Sequence, residues 1–171
     1  MGRLLDDLRT LSLADVGALT LHREPSDLAG LTREATAVQA TVAAAKGVAL
    51  AVTGDERLVT NLDPVRYREI VTNLVANALR HTPAGGRVDV DVRAVDDDAV
   101  LTVRDTGEGI PPDDLPRVFD RYQRHADTGG SGLGLAIVRD LAEAHGGSVA
   151  AASDGVPGSG ATFRVRLPLC D

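Results

Sequence analysis

The sequence predicts an α+β domain of two layers, with helices covering one face of a mixed, mostly antiparallel sheet. Three features point to it. RVDVDVRAV at 87–95 alternates apolar and polar residues, as a half-buried strand does, and AVLTVRD follows at 99–105 after the turn formers Asp96, Asp97 and Asp98. PVRYREIVTNLVANALRH at 64–81 and LAIVRDLAEA at 135–144 instead place apolar residues at helical spacing. ATFRVRLPL at 161–169 returns to strand alternation and closes the chain's pattern.

The remaining elements follow from local signals. Residues 1–18 read as an amphipathic helix, with Leu4, Leu5, Leu8 and Leu11 on one stripe. TLHREP is a connector stopped by Pro25, and Ser26 is the expected cap of a helix over about 27–46 that Gly47 ends. VALAVT and LVTNL are two short strands on either side of the turn signal Gly54-Asp55. Asp63-Pro64 is a helix start, with Asp as the cap and Pro at the first helical position. Residues 106–132 are loop-like and rich in Gly, Pro and Asp. A helix then runs to His145, whose place at a helix C-terminus favours a partial positive charge. SVAAAS supplies one more strand before the last, across a Gly-rich turn.

Composition excludes several functions. Among 171 residues, 25 are acidic and 18 basic, a net charge of −7 that disfavours nucleic acid and anionic lipid as partners. Aromatics make up 2%, too few for base-stacking platforms. Cys170 is the single cysteine, so no internal disulfide or Cys-rich zinc site is possible. No apolar run approaches the roughly 18 residues of a membrane span. Arg3, Asp6, Asp7 and Arg9 break any signal-peptide core, so the segment reads as cytoplasmic.

The chemistry concentrates in three stretches. On the helix over 64–81, Glu69, Asn73, Asn77 and His81 recur every fourth residue and share one face. Asparagine is a modest helix former, because its amide competes with the backbone. Two of them one turn apart fit either a solvated pair or amide oxygens aimed at a hard cation. In DTGEGIPP at 105–112 an acidic residue ends a strand and Gly-x-Gly turns the backbone, but Pro112 excludes a dinucleotide-binding fingerprint. GSGLGL at 130–135 loads glycine ahead of a helix, where unpaired first-turn N–H groups and the helix dipole favour a phosphate.

Taken in order, NLVANALRHT, DTGEGIPP, VFDRY and GGSGLGLAIV closely resemble the N, G1, F and G2 boxes of sensor histidine kinases, and the likeness continues through AHGGSV and GSGATFRVRLPL. It covers about residues 26–169. The resemblance implies the Bergerat (GHKL) ATP-binding fold, an ATP-binding catalytic domain over 26–171 with a lid at about 107–131, and ATP with Mg²⁺ as cofactors. It implies that Asn77 is the Mg²⁺ ligand and that Asn73 lines the site one turn earlier. Arg80 stands where a phosphate-contacting Lys is usual, and His81 where an aromatic ring stacks on adenine. Asp105 is implied as the adenine reader, over a floor shaped by Gly107, Gly109 and Ile110. Phe119 and Tyr122 would anchor the lid, and Arg124 would reach the phosphates. Gly130, Gly132, Leu133, Gly134 and Leu135 would present the phosphate chain with backbone. The implied catalytic set is Asn77, Arg80 and Arg124.

Hydrolytic members of the superfamily carry a Glu four residues before the Mg²⁺-binding Asn. Asn73 holds that place here, and an amide is no general base. Glu69 shares the face but stands about 12 Å from Asn77 along the helix axis. Slow hydrolysis and phosphoryl transfer to another group are therefore expected. None of His22, His81, His125 or His145 lies in a phosphoacceptor pattern such as His-Glu-x-Arg-Thr-Pro. Residues 1–25 resemble the end of a dimerisation hairpin and its linker. The expected partners are thus a phosphoacceptor-His hairpin domain, in the same longer chain or in a separate polypeptide, and a response regulator downstream. Any membrane anchor would lie upstream of Met1. An anti-sigma-factor-type serine kinase and a non-catalytic nucleotide-binding regulator are the alternatives.

Overall fold

The structure is a computed structural model that describes residues 10, 12, 19–121 and 132–169. Its elements run β1 (Glu24–Asp27), α1 (Leu28–Ala37), α2 (Ala40–Lys46), β2 (Ala49–Gly54), β3 (Val59–Leu62), α3 (Pro64–His81), β4 (Arg87–Val95), β5 (Asp98–Asp105), a 3₁₀ turn at Leu115–Arg117, α4 (Gly134–Ala144), β6 (Ser148–Ala152) and β7 (Thr162–Pro168). Five strands form one sheet in the order β2-β4-β5-β7-β6, and β1 pairs with β3 in a separate ribbon. Within the large sheet β2 and β4 are parallel and every other pair is antiparallel. A parallel pair requires a crossover, and α3 lies within it. Alternation on β4 sends Val88, Val90 and Val92 to the core and Arg87, Asp89 and Arg93 outward. Ile70, Val71, Leu74 and Val75 of α3 and Ala136, Ile137 and Leu141 of α4 are completely covered and join the same core.

Four local expectations are corrected. The connector 20–25 is not irregular throughout, because Glu24 and Pro25 open β1. Ser26 is not the helix cap: it lies in β1 and its hydroxyl donates to the Glu24 carbonyl at 3.0 Å. Asp27 caps α1 instead. Its Oδ1 accepts from the N–H of Ala29 at 3.2 Å and of Leu58 at 2.9 Å, so one carboxylate starts the helix and holds the chain entering β3. The helix over 27–46 breaks in two at Val38-Gln39, where the Gln39 N–H tightens onto the Thr36 carbonyl at 2.9 Å. Gly47 ends α2 in the left-handed conformation, as expected. The strands flanking Gly54-Asp55 both exist but do not pair with each other; β2 joins β4 and β3 joins β1.

The fourth correction is His145. It does sit at a helix C-terminus, as the cap of α4, but it is 4% exposed, and burial disfavours the positive charge expected there. Its Nδ1 donates to the Leu141 carbonyl at 2.7 Å, and its Nε2 accepts from the Asp63 N–H at 3.3 Å, which fits a neutral ring. Burial, opposed by the Leu141 bond, holds its pKa below the usual histidine value, and the Arg23 charge acts in the same direction as burial. Asp63 in turn caps α3 through the N–H groups of Val65 and Arg66, so His145 ties the end of one helix to the start of the other. The unfolded chain takes up this proton near pH 6.5 and the folded chain at lower pH. The stabilisation is therefore complete above pH 6.5 and is lost as pH falls. Urea midpoints measured between pH 7.5 and 5.5 should decline for the wild type and decline less for His145→Gln; parallel declines would place the titration elsewhere.

Candidate active site

The C-terminal half of α3 builds one wall. Asn73 is 8% exposed, Asn77 and His81 are half-buried, and Arg80 is exposed. The helical spacing expected from the sequence holds, because α3 is unbroken from Pro64 to His81. Thr82 then leaves the helix with its hydroxyl on the Ala78 carbonyl at 2.7 Å, and the Lys46 ammonium caps the helix end by donating to the Arg80 carbonyl at 2.7 Å.

Asp105, the last residue of β5, is 3% exposed. Burial pushes its pKa up, while bonds from the backbone of Gly107 and Ala161 and the nearness of His81 pull the other way. Both backbone N–H groups donate to the same oxygen, Oδ1, at 2.8 and 3.3 Å. The other oxygen carries no hydrogen bond from the described residues and stays an acceptor. Gly107 passes hard against the helix end: a Cβ there would stand 2.3 Å from the His81 carbonyl oxygen. The Glu108 N–H reaches that carbonyl at 3.4 Å, and His81 Nδ1 lies 2.6 Å from Glu108 Oε1. A cleft of about 330 Å³ opens here, lined by Lys46, Arg80, His81, Thr106, Gly107 and Glu108 among others.

Ile110 is 7% exposed and its N–H donates to Ser153 Oγ at 2.9 Å, which fixes the turn that Gly109 makes with a φ of 77°. Phe119 packs edge-on against Phe163, ring centres 6.2 Å apart, and so holds the loop before residue 122 onto the sheet. Leu133 is buried and Leu135 partly buried, both against the core. Helix α4 starts at Gly134 with no side chain capping its first turn. A Cβ on Gly134 would lie 3.6 Å from Asn73 Oδ1. The glycine-rich helix start and the asparagine face, with Gly134 and Asn73 61 residues apart in sequence, are thus neighbours in space. Tyr122, Arg124 and Gly130 lie outside the described residues.

Three residues without an assigned role in the sequence reading complete the site. Ala161 donates to Asp105, Gly160 lets β7 approach it, and Ser153 bridges Ile110 and the Gly160 carbonyl. Their one sequence signal is the glycine pair of GSGAT ahead of a strand. Glu69 faces away from any role as a base, held by Arg66 at 2.8 Å. Among the described residues no group of three or more His, Cys, Asp or Glu could hold a metal, and no helix is long and apolar enough to cross a membrane.

Residues 62–171 match the family described as histidine kinase-, DNA gyrase B-, and HSP90-like ATPase. The chain belongs to this ATPase family. It is 38% identical over 169 residues to sensor protein DivL of Caulobacter vibrioides, an alignment covering 98% of this chain and 22% of DivL. It is 34% identical over 172 residues to the signal transduction histidine-protein kinase BaeS of Escherichia coli K12, covering 98% of this chain and 36% of BaeS. The chain therefore spans well under half the length of these curated relatives. Full-length ShkA, solved in complex with AMPPNP, superposes with a TM-score of 0.87 at 32% identity, over 98% of this chain and 35% of ShkA. The ATPase-family chain thus corresponds to one region of longer sensor kinases, and the two-layer fold expected from its sequence is the one it has.

Proposed function

We propose that this ATPase-family chain is the ATP-binding catalytic part of a two-component sensor histidine kinase. It binds Mg·ATP and transfers the γ-phosphoryl group to a histidine on a hairpin domain, carried upstream in a longer chain or by a separate polypeptide, from which a response regulator takes it. The observation that carries this is Asp105, a buried carboxylate with one oxygen fixed by backbone and the other left as an acceptor, directly before the cleft-lining Thr106 and Gly107. The residues present fit a nucleotide. Gly107 gives the backbone an approach a Cβ would block, Asp105 offers an acceptor for an exocyclic amine, and Asn77 offers a hard amide oxygen suited to Mg²⁺. When bound, Mg²⁺ neutralises charge that develops on the phosphates.

The chain's own residues then divide the work. Asp105 orients the base, and His81 lines the cleft. Asn77 would hold the metal, and the uncapped start of α4 at Gly134 turns N–H groups toward phosphate. Arg80, exposed at the helix end, and Arg124 are assigned to charge on the transferred group. On α3, among the described residues, no carboxylate stands ready to activate water, since Asn73 fills the position and Glu69 is paired with Arg66.

The test mixes the chain with Mg²⁺ and γ-labelled ATP, with and without a histidine-kinase hairpin domain. Acid-labile label on the hairpin, and none on the chain by itself, is the expected result. Acid-stable label would indicate a serine kinase, and binding without transfer a nucleotide-dependent regulator. Asn77→Ala should cut ATP affinity by about tenfold in Mg²⁺, the scale of one polar contact to a charged group. It should change affinity little in EDTA. An equal loss in both would remove Asn77 from the metal.

A further inference from the structure

We propose that Glu108 is a positioning residue whose carboxylate accepts from His81 Nδ1–H, fixing the tautomer and plane of that imidazole on the cleft wall. This rests on the nucleotide reading above and adds to it a residue that acts on the base through another. The contact is short, 2.6 Å, and both side chains line the cleft. It repeats a second link between the same residues, the Glu108 N–H to the His81 carbonyl at 3.4 Å. Between the two residues' elements lies Gly107, packed too closely on that carbonyl to carry a Cβ. The turn and the helix end are therefore held at one separation, and the carboxylate is delivered to the imidazole instead of finding it.

The other charged groups facing His81 are otherwise engaged or more distant in role. The Lys46 ammonium donates to the carbonyls of Leu79 and Arg80, and Asp105, itself buried, takes two backbone bonds. Arg80 is a cation and cannot accept. An imidazole turns about its Cβ–Cγ bond, and which nitrogen carries the proton is set by the bond the other makes. With Nδ1–H committed to Glu108, the plane of the ring is fixed and its face is held in place for a base. His81 is 20% exposed at its side chain and Glu108 55%, so the orienting group can be removed without opening the core.

The test uses the whole chain and three forms: wild type, Glu108→Ala and Glu108→Gln. Imidazole ¹⁵N spectra without nucleotide should show the Nδ1–H tautomer of His81 in the wild type and in E108Q, whose amide oxygen still accepts, and its loss in E108A. Affinity for ADP should fall about fivefold in E108A and stay within about twofold in E108Q, the scale of one hydrogen bond. Thermal midpoints should coincide. An unchanged His81 tautomer in E108A overturns the proposal. So does equal weakening in E108A and E108Q, which would mean that the charge acts and not the orientation. A wild type that binds no adenine nucleotide would sink the nucleotide reading, while the tautomer spectra would still judge the coupling of Glu108 to His81.

Discussion

Asp105→Asn should lower affinity for ATP by about a hundredfold or more while leaving the thermal midpoint unchanged or raised. Asparagine keeps an oxygen where Oδ1 accepts from Gly107 and Ala161, so both backbone bonds survive. The second oxygen becomes an NH₂ group, and a buried acceptor becomes a donor. An adenine amine, itself a donor, then loses a charge-assisted hydrogen bond worth about 1.5–3 kcal/mol and leaves a buried donor unpaired at a further cost of about 1–3 kcal/mol. Stability moves the other way. The carboxylate is 3% exposed, and burial already pushes its pKa up, so removing the charge relieves a desolvation cost. Calorimetric titration and a melting curve on the same samples decide the matter. A loss of affinity below tenfold with the fold intact would strip Asp105 of base recognition, and a parallel fall in melting temperature would make its role structural.

Gly160→Ala is expected to destabilise the fold by about 3–5 kcal/mol, the range of substitutions that combine backbone strain with a core clash. Gly160 has a φ of 71°, and a Cβ there would stand 1.9 Å from the Asp105 carbonyl oxygen and 2.8 Å from its Oδ1. Relief requires β5 and β7 to part at their ends, where the Asp105 N–H donates to the Ala161 carbonyl at 3.0 Å. The site would therefore fail with the fold. Gly158→Ala is the matched control. Its φ is 91° and a Cβ there meets nothing within 4 Å, so it bears only the left-handed strain of about 1–2 kcal/mol. Urea unfolding of the pair separates the clash from the strain; equal losses would mean that the approach to Asp105 is not what Gly160 protects.

Much of this domain was legible in local pattern. Period-two alternation marked β4, β5 and β7, and helical spacing marked α3 and α4, because each buries one face and leaves the other in water. Asp63-Pro64 marked the start of α3 within one residue, since a cap and a proline act over a single turn. Capping was misread where two candidates adjoined. Ser26 and Asp27 both suit the role, and the choice fell to Asp27 because its carboxylate also reaches Leu58, 31 residues away. The charge of His145 was misread for the same reason: a helix end favours a cation locally, but tertiary burial disfavours one more strongly, even with the Asp63 carboxylate nearby.

Local sequence carries the boxes, their order and, through their resemblance, the family, because each box is a short run of residues contiguous in the chain. Tertiary structure alone decided that β2 would pair with β4 in parallel and that Asn73 would meet Gly134. It alone seated Asp105 on Ala161 and brought Glu108 to His81. Those are contacts between segments far apart in the chain. They are fixed by which faces the core must bury together, and no window of local sequence carries that information.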